Sequence, residues 1–167
     1  KMRCLWSAKD TAVSQDRQEQ DEEATITAFE SLLARCVQDR LISDVPLGAF
    51  LSGGIDSSAV VALMQKSSSK PVHTYTIGFE EEGYNEAAHA KEIAAYLGTQ
   101  HHEHTCSAQD ALDVVDKLPR IYDEPFADQS AIPTYLVSKF ARQDVSVALS
   151  GDGGDEMLGG YNRHFQT

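Results

Sequence analysis

At 167 residues, with 14 Lys plus Arg against 26 Asp plus Glu and a formal charge of −12, the chain reads as one acidic globular domain. No stretch approaches the ~20 apolar residues that cross a bilayer, and no charged-then-apolar leader opens it, so neither a membrane span nor secretion is expected. The acidity also excludes a nucleic-acid partner, because a phosphate backbone needs a basic footprint.

Residues 1–23 read as a tether, polar and with little periodicity, ahead of a domain over 24–167. From Ala24, Ile26, Phe29, Leu33, Val37 and Leu41 recur at helical spacing. Asp21, Glu22 and Glu23 stand where a helix start favours acids, and Arg35 and Arg40 near its end, which predicts a helix over about 24–42. Val45 to Leu51 is a short apolar run that predicts a buried strand. Ser52-Gly53-Gly54 breaks it, and an apolar helical pattern resumes at Ala59. Val72 to Phe79, rich in β-branched and aromatic residues, predicts a second strand.

Asn85 is placed to cap a helix that Gly98 ends after Leu97, and His101 to Thr105 predicts a third strand. Ser107 with Asp110 forms a capping-box pattern for a helix to Leu118, which Pro119 stops. After an acidic loop over 121–129, Ser130 is placed to cap a helix to about Arg142, with Pro133 in its tolerant first turn. Val145 to Leu149 predicts a last buried strand. Alternating strands and helices predict an α/β fold, a doubly wound parallel sheet with helices on both faces. Ligands of such sheets sit beyond the carboxyl ends of the strands.

Two predicted strands end in Ser-Gly turns. In the first, Ser52 to Ser58, two glycines permit close backbone approach, exposed N–H groups at a helix start attract anions, and three hydroxyls add donors. This describes a phosphate cradle, but not G-x-x-x-x-G-K-[ST], since no lysine is present. Asp56 can meet phosphate through Mg²⁺, which takes carboxylate and phosphate oxygens together. The alternative is that Asp56 and Ser57 only cap the helix. The second turn, Ser150 to Asp155, sets two acids among three glycines, and such acids repel unless a cation is near. Across one cleft, Asp56 and Asp155 would share one magnesium. Here too a plainer reading stands beside it, a solvated acidic turn before a short helix.

Cys4, Cys36 and Cys106 form no C-x-x-C pair, so zinc and dithiol readings lack support, and each reads as a small core residue. Their odd number, with no leader, favours a reducing cytoplasm. His101, His102 and His104 invite a metal reading, with His102 and His104 on one strand face, against an exposed polar strand as the simpler one. Asp123, Glu124 and Asp128 either line a cleft or, in the case of Asp128, cap a helix start.

The seven residues Ser52 to Ser58 match the pyrophosphate-binding loop of the ATP pyrophosphatase (PP-loop) enzymes. Together with Asp123 to Asp128, Ser150 to Glu156 and Gly159-Gly160-Tyr161, over residues 24–165, the chain resembles the synthetase domain of glutamine-dependent asparagine synthetases. The resemblance implies an adenine nucleotide alpha hydrolase-like fold. It also implies that ATP activates a carboxylate, aspartate above all, as an acyl-adenylate, and that ammonia then attacks to give an amide and AMP. Carried over, Ser52, Gly53, Gly54, Ser57 and Ser58 hold pyrophosphate, Asp56 and Asp155 bind magnesium, and Phe50, Ile77, Ser150 and Gly151 frame the adenosine and its α-phosphate. Asp152 stands where the family often has a glutamate near the reacting carboxyl. Family members also carry a glutaminase domain that supplies ammonia, and a later helical region with a catalytic lysine. Neither matches this chain, which is therefore expected to be inactive alone, and its oligomeric state is open. Competing readings are a β-lactam synthetase-like ligase or an amidotransferase for another carboxylate, a tRNA-modifying PP-loop enzyme, against which the absent basic face and cysteine pair count, and a non-catalytic nucleotide-binding module.

Overall fold

The computed structural model describes residues 4, 5, 7, 9, 10, 21–80, 86–124 and 127–161. Most of the expected tether therefore lies outside the described residues. By internal contacts the chain forms two compact units, 1–35 and 36–167. Helix α1, Glu22–Arg40, begins in the first, with Glu22 and Glu23 in its opening turn as the sequence leads one to expect. Within that unit Ile26, Phe29 and Leu32 are exposed.

The second unit is built from strands alternating with helices. β1 (Leu47–Phe50), α2 (Ile55–Ser67), β2 (His73–Phe79), α3 (Ala87–Leu97) and β3 (Gln100–Cys106) come first. Then follow α4 (Ala108–Val115), α5 (Leu118–Ile121), α6 (Ala131–Ala141), β4 (Val147–Leu149) and α7 (Gly154–Leu158). The four strands form one sheet in the order β3-β2-β1-β4, every pair parallel. Ala49 of β1 is aligned with Thr74 on one side and Leu149 on the other. Alternate strand residues point to opposite faces, and each face is covered. Ala49 packs with Val37, Val61, Met64, Ala90 and Ala94 from the end of α1, α2 and α3. Tyr75, Ile77, Phe79 and Cys106 pack on the other face with α4 and α6, through Val114, Leu136, Val137 and Phe140.

Local signals explain several boundaries. Gly98 takes φ 72°, the left-handed turn that ends α3. At α4 the capping box is complete: Ser107 Oγ accepts from the Asp110 N–H, and the Asp110 carboxylate accepts from the Ser107 N–H at 2.9 Å. Other expectations need correction. The helix from Ser107 ends at Val115, because the Lys117 N–H donates to Val114 O in a tight turn. Pro119 does not stop a helix but sits in the first turn of α5, where its missing N–H is not needed. Ser130 gives no side-chain cap to α6. The Asp128 carboxylate instead accepts from the Ser130 N–H and hydroxyl, at 2.8 and 2.6 Å. The last strand is shorter than expected and lies at the sheet's edge among the described strands, so Val147 is 42% exposed rather than buried. Asn85 lies outside the described residues, and Glu86 precedes α3.

Candidate active site

The strand order reverses between β1 and β4: from β1 the chain proceeds outward to β2 and β3, then returns to the opposite side of β1. Connections therefore diverge from the carboxyl ends of β1 and β4, the place where sheets of this kind open a crevice. A cleft of about 990 Å³ lies there. Both Ser-Gly turns enter it. Of the site residues expected from the sequence, Phe50, Ser52, Gly54, Asp56, Ser57, Ile77, Ser150, Gly151, Asp152 and Asp155 line the cleft. Gly53 and Ser58 belong to the same turn without lining it.

The first turn is held by its own hydroxyls. Ser58 Oγ donates to Gly54 O at 2.6 Å and Ser57 Oγ to the same carbonyl at 3.3 Å. The Ser52 N–H donates to Ser57 Oγ at 3.2 Å, and the two hydroxyls meet at 3.0 Å. Gly53 has φ 86°, the left-handed conformation that a side chain would strain, and a Cβ there would lie 3.0 Å from the Ala90 nitrogen. The serines thus shape the cradle, and Ser57 is itself buried. What faces the cleft is the start of α2. Its N-cap, Gly54, is extended at φ −72° and ψ 162°, and no side chain caps it. Asp56 and Ser57 are therefore not helix caps. Ile55, Asp56 and Ser57, whose N–H groups have no acceptor within the helix, all border the cleft. Uncapped N–H groups and the positive end of the helix dipole favour an anion.

The second turn is pressed against the first. A Cβ on Gly151 would lie 2.6 Å from the Ser57 nitrogen and 2.9 Å from the Asp56 carbonyl carbon, so the two backbones touch. Ser150 Oγ donates to the Asp152 carboxylate at 3.0 Å, which aims that exposed side chain. Neither Asp56 nor Asp155 takes a hydrogen bond or ion pair from another described side chain. Among the described residues no group of three or more His, Cys, Asp or Glu side chains can hold a metal by itself. Two hard carboxylates on a phosphate-sized cradle fit magnesium, which is commonly bound through one or two carboxylates plus substrate phosphates.

Sequence reasoning missed the wall that α6 supplies, Pro133, Thr134 and Val137. Their spacing puts them on one helix face, a signal that was present but indistinguishable from core. Tyr75, Thr76, Phe79, Glu86, Leu158 and Gly160 also border the cleft. Asp123, Glu124 and Asp128 do not. The hydrogen bonds from Ser130 hold the Asp128 carboxyl below its ordinary range and tie it to its own loop.

The histidines of β3 are framework. His102 Nε2 lies 3.1 Å from Nδ1 of His73 on β2, and its ring lies parallel to that of Tyr75 at 4.9 Å. Tyr75 OH donates to Asp144 at 3.4 Å, and His102 Nδ1 stands 4.0 Å from the same carboxylate. His104 stacks on Phe140. His101 shares Nδ1 with Thr74 Oγ1 at 3.0 Å, and burial pulls its pKa below the ordinary imidazole value. Among the described residues Cys4, Cys36 and Cys106 form no disulfide; Cys106 is buried in the core, whereas Cys4 and Cys36 are exposed, which corrects their reading as core residues. No helix among the described residues is long and apolar enough to cross a membrane.

The profile of the family described as asparagine synthase matches residues 28–167. A putative asparagine synthetase (glutamine-hydrolyzing) 2 of Methanocaldococcus jannaschii is 48% identical over 145 residues, which are 86% of this chain and 28% of that protein. Asparagine synthetase (glutamine-hydrolyzing) 1 of Bacillus subtilis is 40% identical over 142 residues, 85% of this chain and 22% of that protein. The chain thus spans about a quarter of the length of these curated relatives. Among solved structures, an NH3-dependent NAD synthetase from Campylobacter jejuni superposes with a TM-score of 0.54 at 17% identity, over 81% of this chain and 60% of that one. An NMN synthetase from Francisella tularensis gives 0.52 at 17% identity, over 83% and 59%. At such identity these two show the fold alone: a parallel sheet of the adenine nucleotide alpha hydrolase-like kind.

Proposed function

We propose, from the premise that this chain belongs to the asparagine synthase family, that it is the ATP-binding part of an amide-forming ligase. Its substrate would be a small carboxylate, aspartate by the names of its relatives, with ammonia supplied from glutamine elsewhere in the enzyme, and the reaction would run in the cytoplasm. The observation that carries this reading is the convergence of two turns on one cleft. The uncapped start of α2 and the Asp56 and Asp155 carboxylates, which have no side-chain partner among the described residues, border the same space.

The chemistry follows from those groups. The carboxylate oxygen attacks the α-phosphorus of ATP and pyrophosphate leaves; ammonia then forms the C–N bond and AMP leaves. The cradle of Ser52 to Ser58 gives the departing pyrophosphate N–H donors that need no reorganisation during the step. Asp56 and Asp155 would hold magnesium, which supplies positive charge against the phosphates in place of the lysine that this turn lacks. Phe50, Ile77 and Val137 offer an apolar slot for a base, and Ser150 with Gly151 borders the position between base and phosphates. Asp152, whose carboxylate accepts from Ser150 Oγ, would meet the acceptor end. The wall of α6 would shield one side of a bound adenylate from water.

Calorimetry of ATP binding to the 167-residue chain, with magnesium and with chelator, tests the reading. Magnesium should tighten binding in the native chain, and Asp56→Ala should reduce it to the chelator value. Equal, magnesium-independent binding in both would overturn the assignment.

A further inference from the structure

The glycines on either side of α7 divide into two kinds. Gly153 and Gly159 have φ of 93° and 72°, so the backbone itself demands glycine there; a Cβ on Gly153 would meet nothing within 4 Å. Gly154 and Gly160 have ordinary φ values. Any residue could adopt their backbone, and what excludes one is space. A Cβ on Gly154 would overlap the Asp56 carboxylate, and a Cβ on Gly160 would overlap the Asp155 carboxylate at Oδ1. Asp56 and Asp155 therefore each rest against the bare Cα of a glycine. Gly154 comes from the opposite turn to Asp56, whereas Gly160 returns to Asp155 from just past the end of α7, where its N–H donates to Asp155 O at 3.1 Å.

We propose that Gly154 and Gly160 are positioning residues, whose missing side chains leave the room in which the Asp56 and Asp155 carboxylates lie on the cleft. The inference rests on reading those carboxylates as magnesium ligands. It gives a purpose to Gly160, which the cradle argument leaves unused. A carboxylate has no tether here other than its own χ angles, since neither acid is held by a described side chain. Added bulk would be relieved chiefly by rotating the carboxylate; the Asp56 Cβ at 3.0 Å and the Asp155 Cα at 3.4 Å need give way only slightly, so the fold should survive. This separates the pair from Gly151, whose Cβ would strike the rigid start of α2.

The test compares Gly154→Ala, Gly160→Ala and Asp56→Ala in the full 167-residue chain. ATP binding is measured by calorimetry with magnesium and with chelator, and thermal unfolding is followed in parallel. Ligand-orienting partners of metal sites typically change metal affinity by about 10–100-fold when altered. Both glycine variants should keep the native unfolding temperature and the native ATP affinity in chelator, while binding in magnesium weakens about tenfold. Native magnesium-dependent binding in both glycine variants, with that of Asp56→Ala lost, would overturn the positioning role and leave the metal assignment standing. Native binding in Asp56→Ala as well would instead sink the metal assignment beneath it. A drop in unfolding temperature with affinity lost equally in magnesium and chelator would show a structural role, and would also overturn the proposal.

Discussion

Two polar clusters sit on the same sheet and are built in opposite ways. At the carboxyl ends of β1 and β4, Asp56 and Asp155 border the cleft without a described side-chain partner, and the first N–H groups of α2 have no cap. Toward the amino ends, His73, His102, Tyr75 and Asp144 answer one another, with contacts of 3.1, 3.4 and 4.0 Å. Aspartates occur in both, Asp56 and Asp155 at one and Asp144 at the other, so that residue type does not separate them. Satisfaction does. Buried polar groups with protein partners rigidify a core, whereas polar groups gathered on a cleft without partners gain most from a bound ligand. Substitutions in the amino-end cluster should therefore change stability and leave magnesium-dependent ATP binding alone, the reverse of Asp56→Ala.

The largest effect belongs to Tyr75→Ala. The ring is fully buried, set edge-on to Phe140 at 5.8 Å and parallel to His102. Truncating an aromatic of this kind costs about 3–5 kcal/mol, a fall on the order of 10 °C in Tm for a chain of this size. Urea unfolding with a stability change near that of an exposed site would remove Tyr75 from the framework. Because its ring also borders the cleft, this variant is where the division between the clusters is most exposed to failure.

His102→Leu comes next. It leaves Nδ1 of His73 without its partner and takes away the ring lying on Tyr75. An orphaned, part-buried polar group costs about 1–3 kcal/mol, readable by the same urea titration. Magnesium-dependent ATP affinity should stay native once the protein is folded. A matching loss of affinity would mean that the two clusters are one system.

The contrast also marks what the sequence could disclose. Elements set by neighbours within a few residues were legible: the Ser107–Asp110 box, the left-handed Gly98, the glycine turn after β1 and the alternation that implies a parallel sheet. The position of the cleft followed too, because ligands of parallel sheets sit beyond the carboxyl ends of strands and both Ser-Gly turns stand there. What depends on residues far apart in the chain was not legible. His102 is answered by His73 across a strand pair and by Asp144 from the turn before β4, and no spacing rule links the three. The apolar spacing of α6 told core from solvent but not core from cleft, so Pro133, Thr134 and Val137 went unnoticed. The edge position of β4 and the room left by Gly154 and Gly160 likewise exist only once the two turns are folded together.

The smallest change, Tyr75→Phe, examines the amino-end cluster at its weakest link. The hydroxyl's bond to Asp144 is long, at 3.4 Å, and its loss should cost no more than about 1 kcal/mol at neutral pH. The pH dependence is more telling. Burial, reinforced by the Asp144 carboxylate beside it, pushes the Tyr75 hydroxyl up to about 12, against an ordinary value of 10.0. A folded-state value above the unfolded one means that the folded chain holds this proton more tightly. The contribution is complete below pH 10 and is lost as pH rises toward about 12. Native protein should therefore lose stability relative to Tyr75→Phe across that window, with the other tyrosines cancelling in the difference. Parallel urea titrations from pH 9 upward measure it. Parallel curves throughout would mean that the hydroxyl titrates as freely in the fold as in the unfolded chain, and that Asp144 does not reach it.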